Sequence, residues 1–78
     1  MSEQIAKAVT MAIVETIAMS PEGAPSGVIY AAVMGHLDYE GYTRVIKILI
    51  RSGLIRRGSS HLLFPTEMLL AEMRKVAN

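Results

Sequence analysis

At 78 residues the chain has room for one small domain, residues 1–78, and none for a second. A domain of this size buries only roughly 60–65% of the surface that its unfolded chain exposes, so association with a copy of itself or with a partner is expected. The absence of cysteine excludes a disulfide framework and thiolate zinc sites, while 51% apolar against 19% charged residues leaves more apolar surface than one core can hide.

The first predicted element is a helix from Ser2 to about Met19. Ile5, Ala8, Val9, Ala12, Ile13 and Ile17 recur at helical spacing, and Met11, Val14, Ala18 and Met19 form a second, weaker stripe. One stripe seats a helix on a core; the second is a wide buried face or a contact with another chain. The opening "MSEQIAK" lacks the basic-then-apolar order of a signal peptide. Lys7, Glu15 and Lys47 interrupt the apolar windows before any reaches the roughly 18 uncharged residues of a membrane span. A soluble, cytoplasmic protein with no membrane partner is the expectation.

Ser20 to Ala24, with Pro21 and Gly23, breaks that helix. A second opens at Pro25 or Ser26 and runs through "VIYAAVM", with Ile29, Ala32, Val33 and part of Tyr30 facing inward. Gly35 stands where a helix would end in a left-handed conformation, Leu37 is a lone apolar turn residue, and Asp38 is an N-cap for the next helix. This third helix is expected from Tyr39 to about Ser52, with Gly53 just past its end. Two helices joined by such a turn form a helix-turn-helix. "VIKILI" makes the third helix apolar on nearly every side, so Val45, Ile48 or Ile50 must find cover beyond the core.

The next stretch, "LIRRGSSHLLFPT", reads as a β-hairpin: Leu54 to Arg57 and His61 to Phe64, separated by Gly58-Ser59-Ser60 and stopped by Pro65. Two strands alone are marginally stable in water, so something must hold them. A fourth helix is expected from Thr66, a cap, to about Ala77, with Met68, Leu69, Met73 and Val76 on one face. Charge is segregated along this order. Up to residue 40, Lys7 stands against Glu3, Glu15, Glu22, Asp38 and Glu40, whereas residues 41–66 carry Arg44, Lys47, Arg51, Arg56 and Arg57 with no acid. Such a chain can present one electropositive face although its net charge is +1.

Helix, turn, helix, glycine turn, helix and hairpin resemble the winged variant of the helix-turn-helix fold. The resemblance is carried by Met34 to Thr66, above all by "ILIRSGLIRRGSSHLLFPTE", which is similar to a recognition helix running into the wing of small bacterial and archaeal regulators. It implies a mainly helical fold in which the hairpin is the wing, held by the end of the third helix and by the first helix, with Leu54, Leu62 and Phe64 as its core contacts. It also implies a short strand at Ala24–Pro25 joining the wing sheet. In that family the third helix enters the major groove of double-stranded DNA and the wing reaches the flanking backbone or minor groove. Carried over by position, Tyr39, Glu40, Thr43, Arg44 and Lys47 would face DNA, and Tyr42, Ile46 and Leu49 the core. Arg44 would contact guanine or phosphate, Lys47 phosphate, and Thr43 a methyl group or phosphate. Arg56, Arg57, Ser59, Ser60 and His61 of the wing would lie near the backbone. The implied function is that of a small transcriptional regulator.

Other readings of the same residues are blander. His36 and His61 lie far apart, at no metal-binding spacing, and Asp38 is a helix cap before it is an acid catalyst. Tyr30, Tyr39 and Tyr42 could stack on bases, with at least one buried. No nucleophile setting or phosphate-binding glycine loop points to an enzyme or a cofactor. Methionines 11, 19, 68 and 73 are core filler or an adaptable surface, and a homodimer through the first and fourth helices is the expectation for the latter. A module that docks another protein through apolar surfaces of the first, third or fourth helix, without binding DNA, is the alternative function.

Overall fold

The structure is a computed structural model and describes residues 3–77. Among these the order is α1 (Glu3–Ala18), β1 (Ala24–Pro25), α2 (Ser26–Val33), α3 (Tyr39–Arg51), β2 (Ile55–Arg57), β3 (Leu62–Pro65) and α4 (Glu67–Ala77), a mainly helical fold with one small sheet. The sheet is antiparallel throughout, in the order β1-β3-β2. No helix among the described residues is long and apolar enough to cross a membrane.

The hairpin is therefore not isolated. Ala24 pairs with Leu63 and Pro25 with Leu62, giving β3 a partner on each side. Because successive strand residues point to opposite faces, register decides which residues enter the core. Ile55 pairs with Pro65, Arg56 with Phe64 and Arg57 with Leu63. Ile55, Leu63 and Ala24 are buried, and they meet Val9, Ile13, Val14 and Ile17 of α1 and Ile29 and Val33 of α2.

This corrects the expected wing contacts in part. Leu54 packs against the core as expected, but Leu62 and Phe64 are only half-buried, because both parities of "LLF" are apolar and the pairing with β1 puts Leu63 inward. Leu54 lies before the strand and His61 before its partner, whereas Pro65 belongs to β3, at its end, opposite Ile55. The outer face of the sheet has its own small cluster. A Cβ on Gly58 would collide with the Phe64 ring, and one on Gly23 would lie 2.9 Å from it. The ring thus covers both glycines, and the Arg56 guanidinium sits 4.3 Å from its centroid.

α3 begins and ends as its sequence requires. Asp38 accepts a hydrogen bond from the Gly41 N–H at 2.8 Å. At the other end Gly53, with φ +84°, donates to the Ile50 carbonyl at 3.0 Å and Leu54 to that of Leu49 at 3.1 Å, a Schellman ending that needs a left-handed residue. Gly35 does not play that part for α2. It has no positive φ, and the chain leaves α2 through a tight turn in which the His36 N–H reaches the Val33 carbonyl at 2.9 Å. Nor does Ser26 cap α2: Pro25 holds the cap position, and the serine hydroxyl bonds to Tyr42.

The helices are more sharply two-sided than expected. Val45 and Ile50 pack against the core, so of the surplus apolar residues on α3 Ile48 alone is largely exposed, at 58%. On α1, Val14 joins the core and Ala18 packs against it, but Ala8, Met11, Ala12 and Met19 do not. Ala8, Met11 and Ala12 are exposed along the helix and Met19 just beyond its end; Ile5 has a side chain outside the described residues, as does Val76 of α4. Ala32 faces solvent. On α4, Leu69 is buried and Met73 packs on the core, while Met68 turns outward. The Thr66 hydroxyl joins the end of α3 to the start of α4. Its Oγ1 lies 2.6 Å from the Gly53 carbonyl and 3.0 Å from that of Leu54, and it accepts from the Leu69 N–H at 3.3 Å.

Candidate nucleic-acid interface

The face of α3 opposite the core carries its polar residues. Tyr42, Ile46 and Leu49 are buried, so residues half a turn away project outward, and these are Glu40, Arg44, Lys47 and Arg51. Their steps of four, three and four residues keep them on one line along the helix. Tyr39, Glu40, Thr43, Arg44 and Lys47 border a shallow depression on this surface. Arg51 belongs to the same line, although the resemblance carried over only the residues up to Lys47. Its spacing from Lys47 is the signal that finds it.

None of these cations has an acidic partner among the described residues, where the salt bridge found is Lys75 to Glu72 at 3.5 Å. Glu40 is exposed at the start of the line, one turn from Arg44, and no salt bridge joins them. The charge on α3 is therefore not cancelled within the described chain. An unpaired line of cations along one helix face attracts negative partners, small or extended.

The two arginines of β2 go separate ways. Arg57 faces the N-terminal half of α3, where it helps line a cavity of about 180 Å³ with Ser26, Tyr39, Tyr42, Thr43 and His61. Arg56 points to the other face of the sheet, stacked on Phe64. The structure thus brings Tyr39, Thr43, Arg44, Lys47 and Arg57 to one side of the molecule and leaves Arg56 off that cavity. Ser59 and Ser60 are exposed at the hairpin tip, where the Leu62 N–H closes a tight turn on the Ser59 carbonyl. Ser60 and His61 both adopt left-handed backbone, φ +58° and +59°, without a glycine. That conformation costs a non-glycine residue about 1 kcal/mol or more.

Behind Arg57 the tyrosines are ordered by packing. Tyr42 is buried and donates to the Ser26 carbonyl at 3.1 Å, with the Ser26 hydroxyl 2.8 Å from its own oxygen. Burial pushes the Tyr42 phenol above its ordinary value; the Ser26 hydrogen bond opposes that, neighbouring Tyr39 adds to it, and Arg57 opposes it again. Tyr30 and Tyr39 meet edge to face with centroids 5.3 Å apart. Tyr39 stays 65% exposed, which makes it the ring free to touch a ligand. Among the described residues no three His, Asp or Glu side chains are grouped to hold a metal. Comparison of the chain with protein-family models, with curated proteins and with solved structures found no match.

Proposed function

We propose that this chain is a winged-helix DNA-binding protein, a small homodimeric transcriptional regulator that works in the cytoplasm and catalyses no reaction. The observation that carries the reading is the unpaired line Arg44, Lys47 and Arg51 on the face of α3 turned away from the core, with Arg57 of the hairpin beside its N-terminal half. α3 would lie in the major groove, with Arg44 and Thr43 toward base edges and Lys47 and Arg51 toward phosphates. Arg57 and the exposed Ser59 and Ser60 would meet the flanking backbone. Tyr39 would contact sugar or base at the start of α3.

The test is fluorescence anisotropy against a labelled random-sequence duplex. Binding with a dissociation constant of about 10⁻⁶–10⁻⁴ M near physiological salt is expected, and three or four phosphate contacts give log affinity against log salt a slope of about −3. Replacing Arg44 and Lys47 together by alanine should weaken binding about tenfold or more and flatten that slope. No binding at low salt, or affinity unchanged by the double substitution, would overturn the assignment of α3.

A second reading has its own observation. Met11 of α1, Met19 just past its end, Val28 of α2 and Met34 after it are more than half exposed, and an apolar groove lined by Ala8, Val9, Ala12, Ala32, Val33 and His36 runs between those helices. A protein-docking module would use that face, and binding through it would survive the loss of the α3 cations.

A further inference from the structure

The cavity at Arg57 continues into a second cleft. The cavity, about 180 Å³, has Arg57, His61, Tyr42 and Thr43 in its wall; the cleft, about 300 Å³, has Gly27, Tyr30 and Tyr39; Ser26, Tyr39 and His61 line both. Together they make one trough between α2, α3 and the hairpin, cationic at one end and aromatic at the other. Neither part has an acidic residue in its lining. Joined, the two volumes reach the range of about 300–1,000 Å³ in which small ligands are held.

The hydrogen-bonding capacity of the cationic end narrows what fits. The Tyr42 hydroxyl bonds to the Ser26 carbonyl and shares a hydrogen bond with the Ser26 hydroxyl, and the Thr43 hydroxyl donates to the Tyr39 carbonyl at 2.9 Å. With those hydroxyls engaged within the protein, the side-chain donors left to a ligand in this lining are Arg57, His61 and the Tyr39 hydroxyl. An arginine fork without an acidic partner among the described residues matches a phosphate or carboxylate with two parallel bonds. At the aromatic end Tyr39 presents its ring, and a Cβ on Gly27 would meet nothing within 4 Å, so the wall there stands open. A flat ring can lie against Tyr39 in that space. The left-handed backbone at Ser60 and His61 sets the imidazole where both parts meet.

We infer that this trough is a binding site for a planar ring bearing a phosphate, the chemistry of a nucleoside monophosphate, with the phosphate on Arg57 and His61 and the ring on Tyr39. This goes beyond the proposed duplex binding, which shares Arg57 and Tyr39 with the trough but rests chiefly on Arg44, Lys47 and Arg51; single-nucleotide probes read the trough apart from a duplex. The ligand can be a free nucleotide or the 5′-terminal nucleotide of a single strand.

The experiment is titration of the full chain with adenosine monophosphate, adenosine and inorganic phosphate, monitored by calorimetry and by amide shifts. The monophosphate should bind at least tenfold more tightly than adenosine or phosphate alone, moving the amides of Gly27, Tyr39, Arg57 and His61. Arg57→Ala and Tyr39→Ala should each weaken it at least tenfold, Arg57→Lys should recover only part, and Arg74→Ala on α4 should change nothing. A 5′-phosphorylated single-stranded trinucleotide separates the sources: tighter binding than the monophosphate assigns the site to strand ends, weaker binding to free nucleotides. No binding of either phosphate-bearing probe, or binding that survives Arg57→Ala, overturns the inference.

Discussion

Tyr42 ties the two helices of the turn together, and its role can be measured residue by residue. Tyr42→Phe keeps the ring in the core and removes both bonds to Ser26, which should cost about 1 kcal/mol in denaturant unfolding. The same residue predicts a pH effect. Its folded-state pKa lies above the ordinary 10.0, so the folded chain holds the phenolic proton more tightly than the unfolded chain does. Its contribution is fully present below pH 10.0 and is lost as pH rises through the folded value. Unfolding measured between neutral and strongly alkaline pH should show that loss in the parent chain and not in Tyr42→Phe. At this scale the sequence is only partly legible. The placement carried over from the resemblance, with its helical spacing, puts Tyr42, Ile46 and Leu49 inward, and the structure buries all three. That Ser26 serves Tyr42 and not its own helix is beyond such spacing, because the bond spans sixteen residues and depends on how α2 crosses α3.

Elements with punctuation are the legible ones. Asp38 and Gly53 bracket α3 because a carboxylate cap and a left-handed C-terminal residue act locally, and local chemistry is visible in a sequence. Asp38→Ala should lower stability by about 1 kcal/mol, or about 4–8 °C in Tm for a domain of this size, and should speed amide exchange at Gly41. The hairpin is legible as an element but not in its facing. Leu62, Leu63 and Phe64 offer an apolar residue at either parity, so composition alone does not choose a face. Two pairings with the short strand β1 make the choice, and the rejected residues find another use. Phe64 shields Gly23 and Gly58 on the outer face, the kind of aromatic cover that glycines in a small sheet require. The line Arg44, Lys47 and Arg51 is half legible: the basic residues are plain, but their freedom from acidic partners among the described residues is a fact of three dimensions.

For the molecule as a whole, the uneven distribution of its surface is the main fact. Exposed large apolar residues sit on α1 and α2 and just past their ends, Met68 adds to them on α4, and on α3 Ile48 is exposed beside the cations. The proposed dimer through α1 and α4 would cover part of that apolar surface. Sedimentation at about 10–500 μM should then show a concentration-dependent dimer, and Met11→Lys should return it to monomer without loss of helical signal. A monomer throughout that range would remove the dimer from the proposal. The Thr66 hydroxyl, lying against the carbonyls of Gly53 and Leu54, has a different consequence for the molecule. The chain departs for the hairpin and returns from it at that one point, so the excursion is a loop whose base is already closed. Residues added at Ser59–Ser60 would lengthen only the excursion, and loop entropy rises slowly, by about 0.6 kcal/mol for each doubling. The spacing between α3 and α4 would not register the change. The hairpin is, in engineering terms, an interchangeable head on a fixed mount, and its length is the dimension of this protein most free to vary.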